Sequence, residues 1–427
     1  MKRTLALILT TLAMGLLVLS CSTGEMKEDY SDYQRVALHS QITGVQPMTG
    51  IVVWNTSGNR SKDYVQLEFS YMLYNDVCKQ KDVFDWTPMD NLLAEVASRG
   101  HQAVVRFRYT YPGYSSAVPD YIKALPDYEQ RTAKSEGRDT EFPDWRHPEL
   151  QRFHKEFHRR FAERYDRDPR LAFVQTGYGL WAEYHIYDGL FIKGQTFPSQ
   201  EFQREFFLCM DEWFEDCSWS ISIDAGDPTY GPFQMDKTLL ELPFGNFDDS
   251  FMCEDHDGYN TRMWKVFGEE RYKHSPFGGE FNYYTDDDQR HCLDKEGWHG
   301  RLFEDEVAKF HMTYINGNDQ PRYQKAERIK EAAMAMGYSF AIEDFRVKGS
   351  SVAILVSNKG VAPIYRDAWV AVDGKRAQEN LRELMPGESV WVNIEGCYTE
   401  GAVPTIECDH LVAGQKIEYA ANVVPEE

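Results

Sequence analysis

The sequence predicts an α/β fold: a (β/α)8 barrel over residues 49–338, followed by a small all-β sandwich over residues 339–427. Three observations predict it. From Gly50 onward, short apolar runs alternate with longer segments of helical periodicity, eight times over, as βα repeats require. No GxGxxG or P-loop accompanies them, which disfavours the open doubly wound sheet. Past Ser339 the period falls to two, and turn signals follow at Asn358-Lys359-Gly360, Asp373-Gly374 and Pro386-Gly387.

Taken in order, Ile51 to Trp54 reads as a first buried strand and Val65 to Tyr71 as a second. The helix between the second and third strands is well punctuated, with Thr87 as N-cap, Pro88 at the first position and Gly100 at the end. Its Met89, Leu92, Leu93, Val96 and Ala97 fall on one face. Ala103 to Arg108 is the third strand. A helix from Pro148 turns Leu150, Phe153, Phe157 and Phe161 inward, and Leu171 to Tyr178 is the fourth strand. After a helix from Ser199 to Asp216, Ser218 to Asp224 is the fifth. Ser250 to Cys253 is read as the sixth, Phe277 to Phe281 as the seventh and Met312 to Ile315 as the eighth. Helices are expected from Trp298 to His311 and from Pro321 to Met336, the latter closed by Gly337. In the tail, Val352, Ile354 and Val356 alternate with small neighbours, and Ala368 to Val372 and Ser389 to Ile394 read as further strands.

Lys2, Arg3, an apolar run from Leu5 to Leu19 and then Ser20-Cys21 read as a secretory leader over residues 1–20. Val18-Leu19-Ser20-Cys21 resembles a bacterial lipobox, and the resemblance implies cleavage before Cys21, lipid on its sulfur, and export to the cell envelope as a membrane-anchored lipoprotein. Residues 21–48 are then the tether. With 46 basic against 68 acidic residues, the net charge of −22 offers no basic stripe for nucleic acid. Seven cysteines remain beyond Cys21. Cys209 and Cys217, on one helix, stand roughly 12 Å apart and cannot bridge, whereas Cys397 and Cys408 could pair in the tail.

Two stretches present a glutamate among glycines and aromatic rings: Gly177-Tyr178-Gly179-Leu180-Trp181-Ala182-Glu183-Tyr184-His185 and Pro276-Phe277-Gly278-Gly279-Glu280-Phe281-Asn282. Barrel enzymes work at the C-terminal ends of their strands, so Glu183 after strand four and Glu280 at the end of strand seven are expected over one mouth. Two carboxyls across a sugar ring suffice for glycoside hydrolysis without a cofactor or metal, provided that one environment keeps its carboxyl protonated and the other keeps its carboxylate charged. Arg106 and Arg108 share strand parity, so both face inward if either does. Arg108 is then a donor to Glu280 or to substrate, and Arg106 either a substrate contact or a structural partner of Glu68. Trp54, Tyr109, Trp181, His185, Asp224, Asp255 and Asn282 are further candidates for lining a carbohydrate pocket.

The placement of Glu183 and Glu280 resembles the retaining glycoside hydrolases of the large (β/α)8 clan, whose acid/base follows strand four and whose nucleophile ends strand seven. More narrowly, Gly177 to His185 and Val356-Ser357-Asn358-Lys359-Gly360-Val361-Ala362-Pro363 are similar to a domain-of-unknown-function family of bacterial barrel lipoproteins with a C-terminal β-sandwich. The clan's asparagine before the acid/base is replaced here by Ala182, which removes a contact to the sugar 2-hydroxyl. A glycan-binding lipoprotein on a barrel without catalysis is therefore the alternative. A metal-dependent hydrolase using His185, Asp255 and His256 is a third reading. His154 and His158, spaced i, i+4, read as a solvated helix face, and Asp286-Asp287-Asp288 as a solvated charge run.

Overall fold

A computed structural model describes residues 30–425, so the expected leader and Cys21 lie outside the described residues. Eight parallel strands close into a barrel: Gly50–Trp54, Leu67–Leu73, Gln102–Arg108, Leu171–Thr176, Trp219–Ser222, Gly245–Phe251, Phe277–Phe281 and Tyr314–Asn316. Each pairs with its sequence neighbours, and Tyr314–Asn316 pairs back onto Gly50–Val52 to complete the ring. Closure leaves no exposed edge, which is why buried runs such as Ile51-Val52-Val53 are tolerated.

The helical layer is less regular than eight repeats. Helices Thr87–Ala97, Pro148–Tyr165, Gln200–Trp213, Glu254–Phe267, Phe303–Phe310 and Ala326–Met334 cover the barrel. The connection after strand one carries no helix, and that after strand five carries short 3-10 turns. The helix expected from Trp298 starts later, at Phe303, and that expected from Pro321 starts at Ala326.

The tail forms two sheets. One runs Ser389–Ile394, Ser351–Asn358, Phe340–Lys348, Tyr419–Val423 and Leu38–Ser40; the other holds Lys375–Arg376, Ala368–Val372 and Thr405–Cys408. The tether expected over residues 21–48 is thus corrected for its second half: Gln34–Arg35 pairs with Arg346–Val347, and Leu38–Ser40 pairs with Ala421–Val423. The edge of the Tyr419–Val423 strand supplies unpaired backbone groups that this segment satisfies. Cys397 and Cys408 are buried and free, not bridged.

Hydrophobic residues of the sandwich, Phe340, Ile354 and Val370 among them, share one core with Val104, Ala172 and Phe173 of the barrel strands. Arg366, buried, donates to the carbonyls of Leu171 and Ala172 at the start of strand four. The sandwich therefore seals the N-terminal end of the barrel, and the opposite end is left as the mouth.

Candidate active site

Strand four ends at Thr176 and opens into a loop folded back on itself. The Tyr178 and Gly179 amides donate to the Glu183 carbonyl (3.2 and 2.7 Å), and the Leu180 amide to the His185 carbonyl (3.0 Å). A Cβ on Gly177 would overlap the Ala182 carbonyl, and one on Gly179 the His185 carbonyl, so both glycines are required by close backbone approach. Trp181 and Ala182 are consecutive left-handed residues, at φ 56° and 57°. Two such non-glycine residues cost of order 1–3 kcal/mol each, offset here by the Trp181 amide donating to Thr110 (3.1 Å). The contortion turns Glu183 and His185 into the barrel mouth.

Glu183 is 3 % exposed and Arg106 2 %. The Arg106 Nη1 donates to Glu183 Oε1 (2.9 Å) and its Nε to Gln175 Oε1 (2.9 Å), while its guanidinium lies 4.3 Å from the Phe247 ring. Glu183 Oε2 sits 3.6 Å from His185 Nε2. The other nitrogen of His185 bonds Asp224 Oδ2 (2.8 Å) and lies 3.4 Å from Asp249 Oδ2. Glu280 ends strand seven, half-buried, in register with Asn316. A Cβ on Gly278 would enter the Tyr314 ring, so this glycine lets Tyr314 fill the barrel interior, where its hydroxyl accepts from Gln175 (2.8 Å).

Charge is crowded here: Glu183, Glu280, Asp224 and Asp249 face Arg106 and His185. Burial, then the charge of Asp249, pushes the Glu183 carboxyl well above its usual range, against the pull of Arg106. Burial raises Glu280 to about 7, with Arg106 and His185 opposing and Asp249 assisting. Burial also raises Asp224, whereas Asp249, although buried, is held down to about 2 by the hydrogen bond and charge of His185. Burial opposes a charged His185, but Asp224 and Asp249 overcome it and keep the imidazolium favoured. Glu183 and Glu280 also act on each other electrostatically. Among the described residues, donor atoms of Glu183, His185 and Asp249 lie within 4.8 Å of one another and could hold a metal ion, were His185 to give up its proton.

The structure thus brings together Glu183, Glu280, Arg106, His185 and Asp224. Trp181 sits at the rim against Tyr111 and Tyr187. Trp54 lines a cavity of about 330 Å3 with Thr56, Ser57, Asn59, Asn318 and Asp319.

Other expectations are corrected. Tyr109 does not line the mouth: it points outward, stacks on Tyr74 (4.0 Å) and bonds His154 Nδ1 (3.0 Å) beneath the helix Pro148–Tyr165. His154 and His158 are fully buried there rather than solvated, and burial drives both to the neutral form. Asn282 is buried and braces the following loop, donating to Asp288 Oδ2 (2.8 Å) and accepting from the Tyr284 amide (2.6 Å). Asp288, from the expected charge run, is buried and also accepts from the Trp298 indole (2.7 Å). Asp255 is exposed on the first turn of Glu254–Phe267, and His256 packs on Tyr284, so neither joins His185. Arg108 lies over Tyr111 (4.5 Å) instead of reaching Glu280. Glu68 is taken by Arg99 and His101 (both 2.7 Å), which leaves Arg106 to Glu183.

Sequence reasoning missed Asp249 because it began strand six at Ser250, whereas the strand runs Gly245–Phe251. The signal was parity: Phe247 and Asp249 share a face, and Phe247 lies under Arg106.

No family model and no curated protein matches the chain. Among solved structures, it is similar to the xylanase CbXyn10B at 10% identity, covering 62% of this chain and 82% of that one with a TM-score of 0.39. It is also similar to the α-galactosidase TtGalA of Thermus thermophilus, at 13% identity, 74% and 66% coverage and a TM-score of 0.39. The family 30 xylanase Xyn30A of Clostridium acetobutylicum gives 12% identity, 86% and 95% coverage and a TM-score of 0.38. At such identity the likeness concerns backbone architecture alone.

Proposed function

We propose that the chain is a glycoside hydrolase that cleaves an oligosaccharide or polysaccharide by retention, with Glu183 as acid/base and Glu280 as nucleophile. The observation that carries this reading is that Glu183, from the loop after strand four, and Glu280, on strand seven, meet the same Arg106 and His185 in one crowded cluster, where burial favours a proton on Glu183. Glu183 gives that proton to the glycosidic oxygen as the C1–O bond breaks, and the Glu280 carboxylate closes on C1 to form a glycosyl ester. Glu183, now an anion held by Arg106, then takes a proton from water as the water oxygen attacks C1 and releases Glu280. His185, fixed by Asp224 and Asp249, supplies a second positive charge beside the acid/base.

A screen of aryl glycosides and plant and host glycans against wild type and Glu280→Gln tests the reading. Hydrolysis that disappears in the variant, with retained anomeric configuration by NMR, supports it. Turnover unchanged in Glu280→Gln removes Glu280 from the chemistry. The second reading, a glycan-binding protein without catalysis, draws on Ala182, whose buried methyl offers a sugar no hydrogen bond; it expects sugar binding that survives in Glu183→Ala and no product. Loss of hydrolysis on chelation would instead favour a metal held by Glu183, His185 and Asp249. We place the protein on the cell envelope through lipid at Cys21, and metabolic labelling with a radioactive fatty acid, lost in Cys21→Ala, checks that placement.

A further inference from the structure

We infer that the mouth binds a linear chain of sugars lying across it, with the cavity beside Trp54 taking the sugar whose C1 is attacked and a shelf formed by Trp181 and Tyr187 taking the leaving chain. The inference rests on the hydrolase reading and adds to it the direction in which an extended chain lies.

The barrel order sets the direction. Strands three and four stand diametrically opposite strands seven and eight in an eight-membered ring. On the first side, Tyr187 is 61 % exposed, yet its hydroxyl is pinned by Glu136 (2.7 Å) and its ring lies nearly parallel to Trp181 (17°, 6.0 Å). An exposed aromatic ring that is held from both ends is a fixed plate, and its ordering cost is met before any sugar stacks on it. Glu183, the proton donor, belongs to the same loop, so the departing oxygen is protonated on this side.

On the far side lies the cavity of about 330 Å3 between the loops after strands one and eight. One indole and five side chains bearing hydroxyl, amide or carboxylate groups line it, the combination that grips a single sugar by its ring face and hydroxyls. Strand eight links it to Glu280: Asn316, in register with Glu280, accepts from the Asn318 amide (3.3 Å), and the Asn318 side chain accepts from the Trp54 amide (3.2 Å). The cavity is therefore beside the nucleophile.

The test uses the full soluble chain with Glu280→Gln as background, titrated calorimetrically with the neutral hexasaccharides of β-1,4-glucan, β-1,4-xylan, β-1,4-mannan and α-1,4-glucan. At least one is expected to bind at least tenfold more tightly than its disaccharide, and Tyr187→Ala and Trp54→Ala each to weaken it by about five- to tenfold, as loss of one stacking contact does. Asn59→Ala checks the cavity without disturbing an aromatic contact. In the catalytically competent chain, Tyr187→Ala should lower the ratio of kcat/KM for hexasaccharide over aryl glycoside about fivefold, whereas Trp54→Ala and Asn59→Ala should depress both substrates alike. Binding with these sensitivities but no cleavage by wild type would sink the hydrolase reading and leave the chain path standing. No binding by any of the four, hexasaccharide affinity equal to disaccharide affinity, or a ratio indifferent to Tyr187→Ala would overturn the inference.

Discussion

Replacing Arg106 by methionine keeps the length of the stem and removes the guanidinium from the centre of the site. Four acceptors lose a donor: Gln175 Oε1 and Glu183 Oε1 at 2.9 Å, and the Trp181 carbonyl and Tyr71 hydroxyl at 3.3 and 3.4 Å. The bond to Glu183 is worth about 1.5–3 kcal/mol when charged and that to Gln175 about 1 kcal/mol. The guanidinium over Phe247 adds up to about 2 kcal/mol in a desolvated setting. Against these stands relief from burying a cation, so the net loss should be about 2–4 kcal/mol, most of it from buried acceptors left without their donor. Glu183→Gln should cost far less, about 1 kcal/mol or under, because burial already favours the uncharged form of this carboxyl and an amide can replace it as acceptor. Equilibrium urea unfolding followed by tryptophan fluorescence at pH 6.5, with the double variant closing the cycle, measures both. An Arg106→Met loss below about 1 kcal/mol, or a Glu183→Gln loss as large as that of Arg106→Met, would refute the reasoning.

Activity should rise with pH as Glu280 ionises near 7 and fall again at higher pH as Glu183 gives up its proton; a profile already flat from pH 5 to 7 would contradict the raised Glu280. Stability should move the other way in the same range. The folded chain holds the Glu280 proton between its ordinary 4.5 and about 7, so stability declines as pH rises through that window. The depressed Asp249 contributes stability above its ordinary 3.8, which is lost as pH falls toward about 2. Gly179→Ala should push the Glu183 loop off the His185 carbonyl and cut turnover about a hundredfold or more while the circular dichroism spectrum is kept. A chain starting at Gly44 loses the pairing of Leu38–Ser40 with Ala421–Val423 and the burial of Leu38. It should unfold with about 2–4 kcal/mol less stability, measured by denaturant titration.

Much of the fold was legible because its signals are local. The i, i+3, i+4 face of Thr87–Ala97, its proline start and the left-handed Gly100 are written within fourteen residues, and the structure follows them. Strand six was misplaced because Gly245-Asn246-Phe247-Asp248-Asp249 carries too much polarity to read as a buried strand. Its aspartates are buried because Asn260 and His185, from other elements, meet them. Tyr109 could have been excluded from the mouth by parity alone: if Arg106 and Arg108 face inward, the residue after Arg108 faces the helices.

The sequence by itself determined the alternation that closes into a barrel, the change of grammar near Ser339, and the two glycine-bound glutamates at strand ends. These depend on periodicity and on backbone clearances between near neighbours. Only the tertiary structure decided that Arg106 serves Glu183 and not Glu68, that Asp249 stands with Asp224 behind His185, and that the segment from Gln34 to Ser40 belongs to the sandwich. The physical reason is that the protonation and partnership of a buried polar group depend on which distant groups share its low-dielectric surroundings. In this chain Arg106 and Glu183 stand 77 positions apart, and His185 and Asp224 39.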